Sequence, residues 1–136
     1  MKVTITRKTH FTAGHQLYNP ELSEEQNLKI FGPCSNPAGH GHNYVLEVTV
    51  SGKLDPHTGM IMNLKDLNKI IDQHIISKCD HRNFNVDVEF TRNVIPTAEN
   101  LAARIFEVLD TVLPSGTLAR VRLFETENNI ATAERE

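Results

Sequence analysis

The sequence predicts an α+β domain in which two amphipathic helices cover one face of an antiparallel sheet. Three observations lead there: period-two alternation toward both ends of the chain, two helical apolar stripes in the middle, and Pro/Gly-marked turns at the changeovers. Along residues 2–15, Val3, Ile5, Phe11 and Ala13 hold odd positions while Lys2, Thr4, Thr6, Lys8 and Thr12 hold even ones, as in a half-buried strand. Residues 18–39 read as a polar loop broken by the small apolar group Leu28, Ile30 and Phe31. From His40 the alternation resumes, with Tyr44, Leu46, Val48 and Val50 opposed to Asn43, Glu47 and Thr49. Asp55-Pro56-His57-Thr58-Gly59 is a turn, because Pro presets φ and Gly is free to take φ > 0.

Helical spacing follows. Asn63 is a fitting N-cap with Asp66 three residues on, and Leu64, Leu67, Ile70, Ile71 and Ile75 form one stripe. Residues 79–96 read as irregular. Thr97 caps a second helix carrying Leu101, Ile105, Val108, Leu109 and Val112, which Pro114-Ser115-Gly116 stops. Val121 and Leu123 then alternate with Arg120 and Arg122, Asn128-Asn129 marks a tight turn, and residues 130–133 make a last short strand. The resulting order is ββααββ, with a four-stranded sheet. At 136 residues the chain has the length of one domain, taken here as 1–136.

Composition narrows the function. The 14 Lys+Arg against 17 Asp+Glu give a formal charge of −3, which lends no support to nucleic-acid or anionic-membrane binding. No apolar run approaches the ~20 residues of a membrane helix. The opening Met-Lys-Val-Thr-Ile-Thr-Arg-Lys has no apolar signal core, so a reduced, cytoplasmic setting is expected. Two cysteines are too few for a disulfide scaffold. Seven histidines are the number that needs explaining.

Gly39-His40-Gly41-His42-Asn43 is the strongest local signal. On a strand, residues i and i+2 share a face, so His40 and His42 can present two imidazoles to one metal ion. They fall in phase with the inward residues Leu46, Val48 and Val50, and His15 falls in phase with Ile5, Phe11 and Ala13. If the two strands pair without a bulge, three imidazoles converge at one end of the core. Three neutral nitrogens with an open fourth position suit catalytic Zn²⁺; three unrelated, hydrogen-bonded histidines are the alternative. His10, His57 and His74 read as surface residues.

Cys34, in a Gly/Pro-rich loop six residues before His40, could complete a Cys-His₃ site or act as a thiolate beside the metal. Cys79 reads as a core filler. Asp80-His81 is a weak motif that can form a proton-relay pair. Glu125 falls on the inward parity of its strand, where a carboxylate needs donors; a heterocycle offering two adjacent N–H groups would suit it. Arg7 shares the inward parity of His15 and suits a phosphate.

Taken together, these residues resemble the 6-pyruvoyl-tetrahydropterin synthase family. The matching stretches are Phe11-Thr12-Ala13-Gly14-His15, Asn27-Leu28-Lys29-Ile30-Phe31-Gly32, Cys34-Ser35-Asn36-Pro37, His40-Gly41-His42-Asn43-Tyr44, the turn from Asp55 to Asn63, Asp80-His81-Arg82-Asn83, Thr97-Ala98-Glu99-Asn100 and Glu125-Thr126-Glu127-Asn128-Asn129. The resemblance implies the tunnelling fold, whose subunits close into β-barrels, here as a homohexamer built as a dimer of trimers with active sites at subunit interfaces. It implies zinc on His15, His40 and His42, a catalytic Cys34, and an Asp80–His81 relay. It further implies a pterin-anchoring Glu125, with Thr97 and Glu99 in the segment that helps line the pterin pocket across a subunit interface, and Arg7 at a position associated with the substrate's triphosphate.

The implied reaction converts 7,8-dihydroneopterin triphosphate to 6-pyruvoyl-tetrahydropterin with loss of inorganic triphosphate, for which Mg²⁺ is a natural counter-ion. The Cys34-x₅-His40-Gly41-His42 spacing is of the pyruvoyl type, whereas the related 6-carboxytetrahydropterin synthases of the queuosine pathway typically show three residues before the first His. One departure is Gln16, which follows His15 where pyruvoyl-type relatives often have Arg. The competing readings are a 6-carboxytetrahydropterin synthase and a non-catalytic, zinc-stabilised pterin-binding module.

Overall fold

A computed structural model describes residues 1–136. The two long strands β1 (Thr4–His15) and β2 (His40–Ser51) pair antiparallel over their whole length without a bulge, from Thr4 opposite Ser51 to His15 opposite His40. This unbroken register is what preserves the inward phase of the histidines. β4 (Leu118–Phe124) pairs with β2, and β5 (Ile130–Glu134) pairs with β4, both antiparallel. A two-residue strand, β3 (Arg82–Asn83), runs parallel to β1 at Ala13 and Gly14, so the sheet has five strands in the order β3-β1-β2-β4-β5.

Two elements depart from the sequence expectation. β3 makes a fifth strand, parallel rather than antiparallel, and two residues are too short to show any alternation. Helix α1 (Glu24–Phe31) lies inside the stretch read as a loop. It carries no apolar stripe: Leu28 and Ile30 are exposed, and its buried residue is Asn27. The signal that could have found it is the capping box at Ser23, where the Ser23 hydroxyl accepts from the Gln26 N–H and the Gln26 side chain accepts from the Ser23 N–H.

The other helices follow their apolar stripes. α2 (Leu64–Ile71) is capped by Asn63 and continues through a π-helical segment, Asp72–Ile76, into a last turn at Ser77–Cys79. α3 (Ala98–Val112) is capped by Thr97. Leu67, Ile71 and Ile75 from α2 and Leu101, Ile105 and Leu109 from α3 meet Phe11, Tyr44, Leu46, Val48, Val50, Val121 and Leu123 of the sheet in one core. Cys79 belongs to that core, and burial pushes its thiol up to about 12, so it is inert. No helix is long and apolar enough to cross a membrane. At the end of the sheet where β1 stops and β2 starts, the core gives way to imidazoles.

Candidate metal centre and adjoining cleft

His15, His40 and His42 are brought together there, with one ligand nitrogen from each lying within 4.8 Å of the others. The pairing of β1 with β2 explains this: His15 sits opposite His40, and Ala13 sits opposite His42. Cys34 is not a member of the cluster, so the group that could hold a metal ion is three imidazoles rather than Cys-His₃.

The environment prepares each ring for a cation. His15 is fully buried and donates from Nδ1 to the Pro96 carbonyl at 2.8 Å, which leaves Nε2 as a bare acceptor. The Tyr44 hydroxyl lies 3.5 Å from the same Nδ1, a weaker contact. His15 Nε2 approaches His40 Nε2 to 3.3 Å. His42 Nε2 is buried without a hydrogen-bond partner, and such an orphan atom marks a ligand position. Burial holds His15 and His42 below the ordinary imidazole value, favouring the neutral rings that bind metal.

Glu125, immediately after β4, joins this cluster to a cleft. Its Oε1 lies 3.8 Å from His42 Nε2, too far for a hydrogen bond but close enough for electrostatic attraction to any ion held there. The cleft measures about 530 Å³, and Glu125, Thr97, Glu99, Leu17, Asn128 and Asn129 are among its lining residues. Thus Thr97, Glu99 and Glu125 are brought together within one chain. Thr97 also caps α3 by accepting from the Asn100 N–H, and the Pro96 carbonyl beside it orients His15. The cleft and the imidazoles therefore share two joints, at residues 96–97 and at Glu125. The Pro96 carbonyl has no signature in the sequence, because any residue type supplies one.

Asp80 and His81 lie along the edge of β1 away from β2, just ahead of β3. Asp80 Oδ1 accepts from the Thr12 N–H at 3.0 Å, the His81 N–H donates to the Thr12 carbonyl at 2.6 Å, and Asp80 Oδ2 lies 3.0 Å from His81 Nδ1. The Thr12 N–H, with help from the His81 side chain, holds the Asp80 carboxyl below the usual carboxylate range and outweighs the opposing effect of burial. His81 takes φ 61°, a left-handed backbone uncommon for a residue with a Cβ, and its side chain is 82% exposed. Cys34 lies partly buried in the 3₁₀ turn Gly32–Ser35, its carbonyl accepting from the Leu17 N–H at 2.8 Å.

Arg7 is not brought to this site within the chain. It lies eight residues before His15 on β1, roughly 26 Å away at strand rise, and its Nε donates to Asn68 Oδ1 of α2 at 3.0 Å. Arg7 shares the parity of His15 but is exposed, and parity carries no information about distance along a strand.

Residues 4–136 match the family model for 6-pyruvoyl tetrahydropterin synthase. The chain is 48% identical over 132 residues to the 6-pyruvoyl tetrahydrobiopterin synthase of Homo sapiens, covering 97% of this chain and 91% of that protein. It is 49% identical over 132 residues to the protein of the same name from Pongo abelii, with the same coverage. The solved structure of Caenorhabditis elegans 6-pyruvoyl tetrahydropterin synthase superposes with a TM-score of 0.94 at 39% identity, covering 100% of this chain and 97% of that one. With the fold, the histidine cluster and these likenesses in agreement from end to end, the chain belongs to the 6-pyruvoyl tetrahydropterin synthase family.

Proposed function

We propose that this protein is a zinc-dependent enzyme that converts 7,8-dihydroneopterin triphosphate to 6-pyruvoyl-tetrahydropterin with elimination of inorganic triphosphate. The observation that carries the reading is the continuity between three converging imidazoles and a cleft whose wall holds a partly buried carboxylate, Glu125. Zinc is supported by the donor set, three neutral imidazoles that bring one nitrogen each within 4.8 Å of the others and leave a fourth position open. Bound by His15, His40 and His42, zinc supplies Lewis-acid polarisation of the substrate's side-chain oxygens.

The chain's own residues do the rest. Glu125 anchors the pterin ring through adjacent N–H groups, and Thr97 and Glu99 line the same cleft. Cys34 removes a proton from side-chain carbon, and His81 carries protons to and from the side-chain hydroxyls. Asp80, itself held by the Thr12 N–H, fixes the His81 tautomer. The exposure of His81 and the absence of Cys34 from the imidazole cluster support an active site completed where subunits meet, in a homohexamer. Across such an interface Arg7 regains access to a neighbour's triphosphate, with Mg²⁺ as a further counter-ion. The setting is cytoplasmic.

Mass spectrometry of the products after incubation with dihydroneopterin triphosphate tests this reading. A pyruvoyl-tetrahydropterin and free triphosphate are the expected products, and Cys34→Ala abolishes turnover while leaving metal and pterin binding intact. Carboxytetrahydropterin and acetaldehyde from the wild-type protein would assign it to the queuosine-type synthases instead. Pterin binding without any turnover would make it a binding module.

A further inference from the structure

Gln16 is half-buried at the end of β1, directly after His15, and its backbone N–H, its backbone carbonyl and its side-chain Nε2 are all hydrogen-bonded. Its side-chain Nε2 donates to the Ser35 carbonyl at 2.9 Å, and Ser35 follows Cys34 in the 3₁₀ turn. Its backbone N–H donates to Asn85 Oδ1 at 2.8 Å, and its backbone carbonyl accepts from Asn85 Nδ2 at 2.9 Å. The Asn85 side chain therefore pairs with Gln16 as a neighbouring strand would. Asn85 in turn belongs to the segment that begins at Asp80-His81 and is folded back by its own N–H donating to Asn83 Oδ1 at 2.8 Å. One step further, the Leu17 N–H donates to the Cys34 carbonyl at 2.8 Å.

These contacts make residue 16 the junction of three segments: the strand that carries a metal ligand, the turn that carries Cys34, and the segment that carries the relay pair. Two hydrogen bonds tie the Cys34 turn to the end of β1, the Leu17 N–H to the Cys34 carbonyl and the Gln16 amide to the Ser35 carbonyl, and the second is the one made by a side chain. A neutral amide is also the group that fits. A carboxylate would face the Ser35 carbonyl with no proton to donate, and an apolar side chain would leave that carbonyl unpaired. We propose that Gln16 is the positioning residue of Cys34: its side-chain amide holds the Cys34 turn against the end of β1, while Asn85 locks the Gln16 backbone. The donor it uses for Ser35 is then spent, and Gln16 does not serve as a phosphate-binding group.

The functional consequence rests on Cys34 acting as the proton acceptor, and the test separates that premise from the positioning itself. Gln16→Met keeps the length and loses the donor; Gln16→Glu keeps the shape and replaces the donor with an acceptor. Gln16→Arg is the rescue variant, because its Nε–H stands at the same bond count from Cα as the amide nitrogen. Three readouts are taken on the metal-loaded protein: the rate of Cys34 alkylation by iodoacetamide across pH, steady-state kinetics, and bound metal. Cys79, buried and inert, is the internal control for folding.

Gln16→Met and Gln16→Glu are expected to change the Cys34 alkylation rate at least threefold, or to move its pH midpoint by about half a pH unit or more, and to lower kcat roughly tenfold. KM should stay within about twofold, with metal stoichiometry and Cys79 protection unchanged. Gln16→Arg should recover most of both losses. Wild-type alkylation and kcat in both variants would overturn the proposal, as would a loss expressed in KM alone, which would make Gln16 a substrate contact. If Cys79 becomes reactive in either variant, the role is structural and the proposal also falls. A wild-type protein without synthase activity would remove the catalytic premise while the alkylation rates still decide the positioning.

Discussion

His15 divides its work between two ring nitrogens: Nδ1 is tied to the Pro96 carbonyl, and Nε2 faces His40 and the common ligand point. The arrangement fixes the tautomer before any ion arrives, so little reorganisation accompanies binding. His42 contributes the orphaned Nε2, and replacing it by Ala should lower metal affinity well over tenfold, read as metal retained after dialysis against a weak chelator. Undiminished metal in His42→Ala would place the ion elsewhere. Asp80 offers a cleaner titration because it is exposed and held chiefly by one N–H. Its folded value lies below the usual 3.8, so the ionised form is favoured by folding. That contribution is complete above pH 3.8 and fades as the pH falls through the lower folded value. Carbon-detected NMR should show the Asp80 midpoint below 3.8, with the Thr12 amide shift following it; a midpoint at or above 3.8 would contradict the clamp.

Elements were legible to the extent that their side chains alternate or stripe. β1, β2, α2 and α3 each bury one face of a regular pattern, and their ends are set by residues with local chemistry, Asn63 and Thr97 as caps. α1 follows another logic. Asn27 holds it, its Oδ1 accepting from the Asn19 N–H at 2.8 Å and its Nδ2 donating to the Asn19 and Ser23 carbonyls at 3.0 Å each. A polar staple of this kind has no periodicity and cannot be seen until the loop is folded. Asn27→Ala would remove the partner of the Asn19 N–H, while the Asn19 and Ser23 carbonyls keep the Leu22 and Asn27 N–H groups. It should cost about 1–3 kcal/mol in urea unfolding, whereas an unchanged midpoint would show the staple to be dispensable. Gly39 is the other fixed point. Its φ is 69°, and a Cβ there would stand 2.8 Å from the His15 carbonyl. Gly39→Ala should therefore destabilise the fold by about 1–3 kcal/mol, since left-handed strain and a backbone clash act together. Because that clash falls on the His15 backbone, metal affinity should drop with it.

At the scale of the whole molecule, the sheet ends in two free edges, the short β3 and the five-residue β5. Free edges invite pairing with another copy. Light scattering coupled to size exclusion is predicted to give six chains per particle; a monomer that remains active would contradict a site shared between subunits. What the sequence made legible was the phase of the histidines and of Glu125, because β1 and β2 pair without a bulge and the one register shift between β2 and β4, at Ala119, falls before Val121, Leu123 and Glu125. Parity alone does not place a residue along the strand: Arg7 matches His15 in parity, yet eight residues of strand hold it roughly 26 Å away. Nor could the sequence reveal backbone partners such as the Pro96 carbonyl, which no side chain announces.

The account's central claim is that the imidazole cluster and the Glu125 cleft form one site. Cobalt(II) loaded into the metal-free protein tests this most directly, because its visible bands report the coordination of the ion. The predicted result is one tetrahedral cobalt per chain whose spectrum shifts when dihydroneopterin triphosphate is titrated in. Glu125→Gln should keep the cobalt and weaken that response at least tenfold. A pterin that binds without altering the cobalt spectrum, or a Glu125→Gln protein that responds like wild type, would contradict the claim.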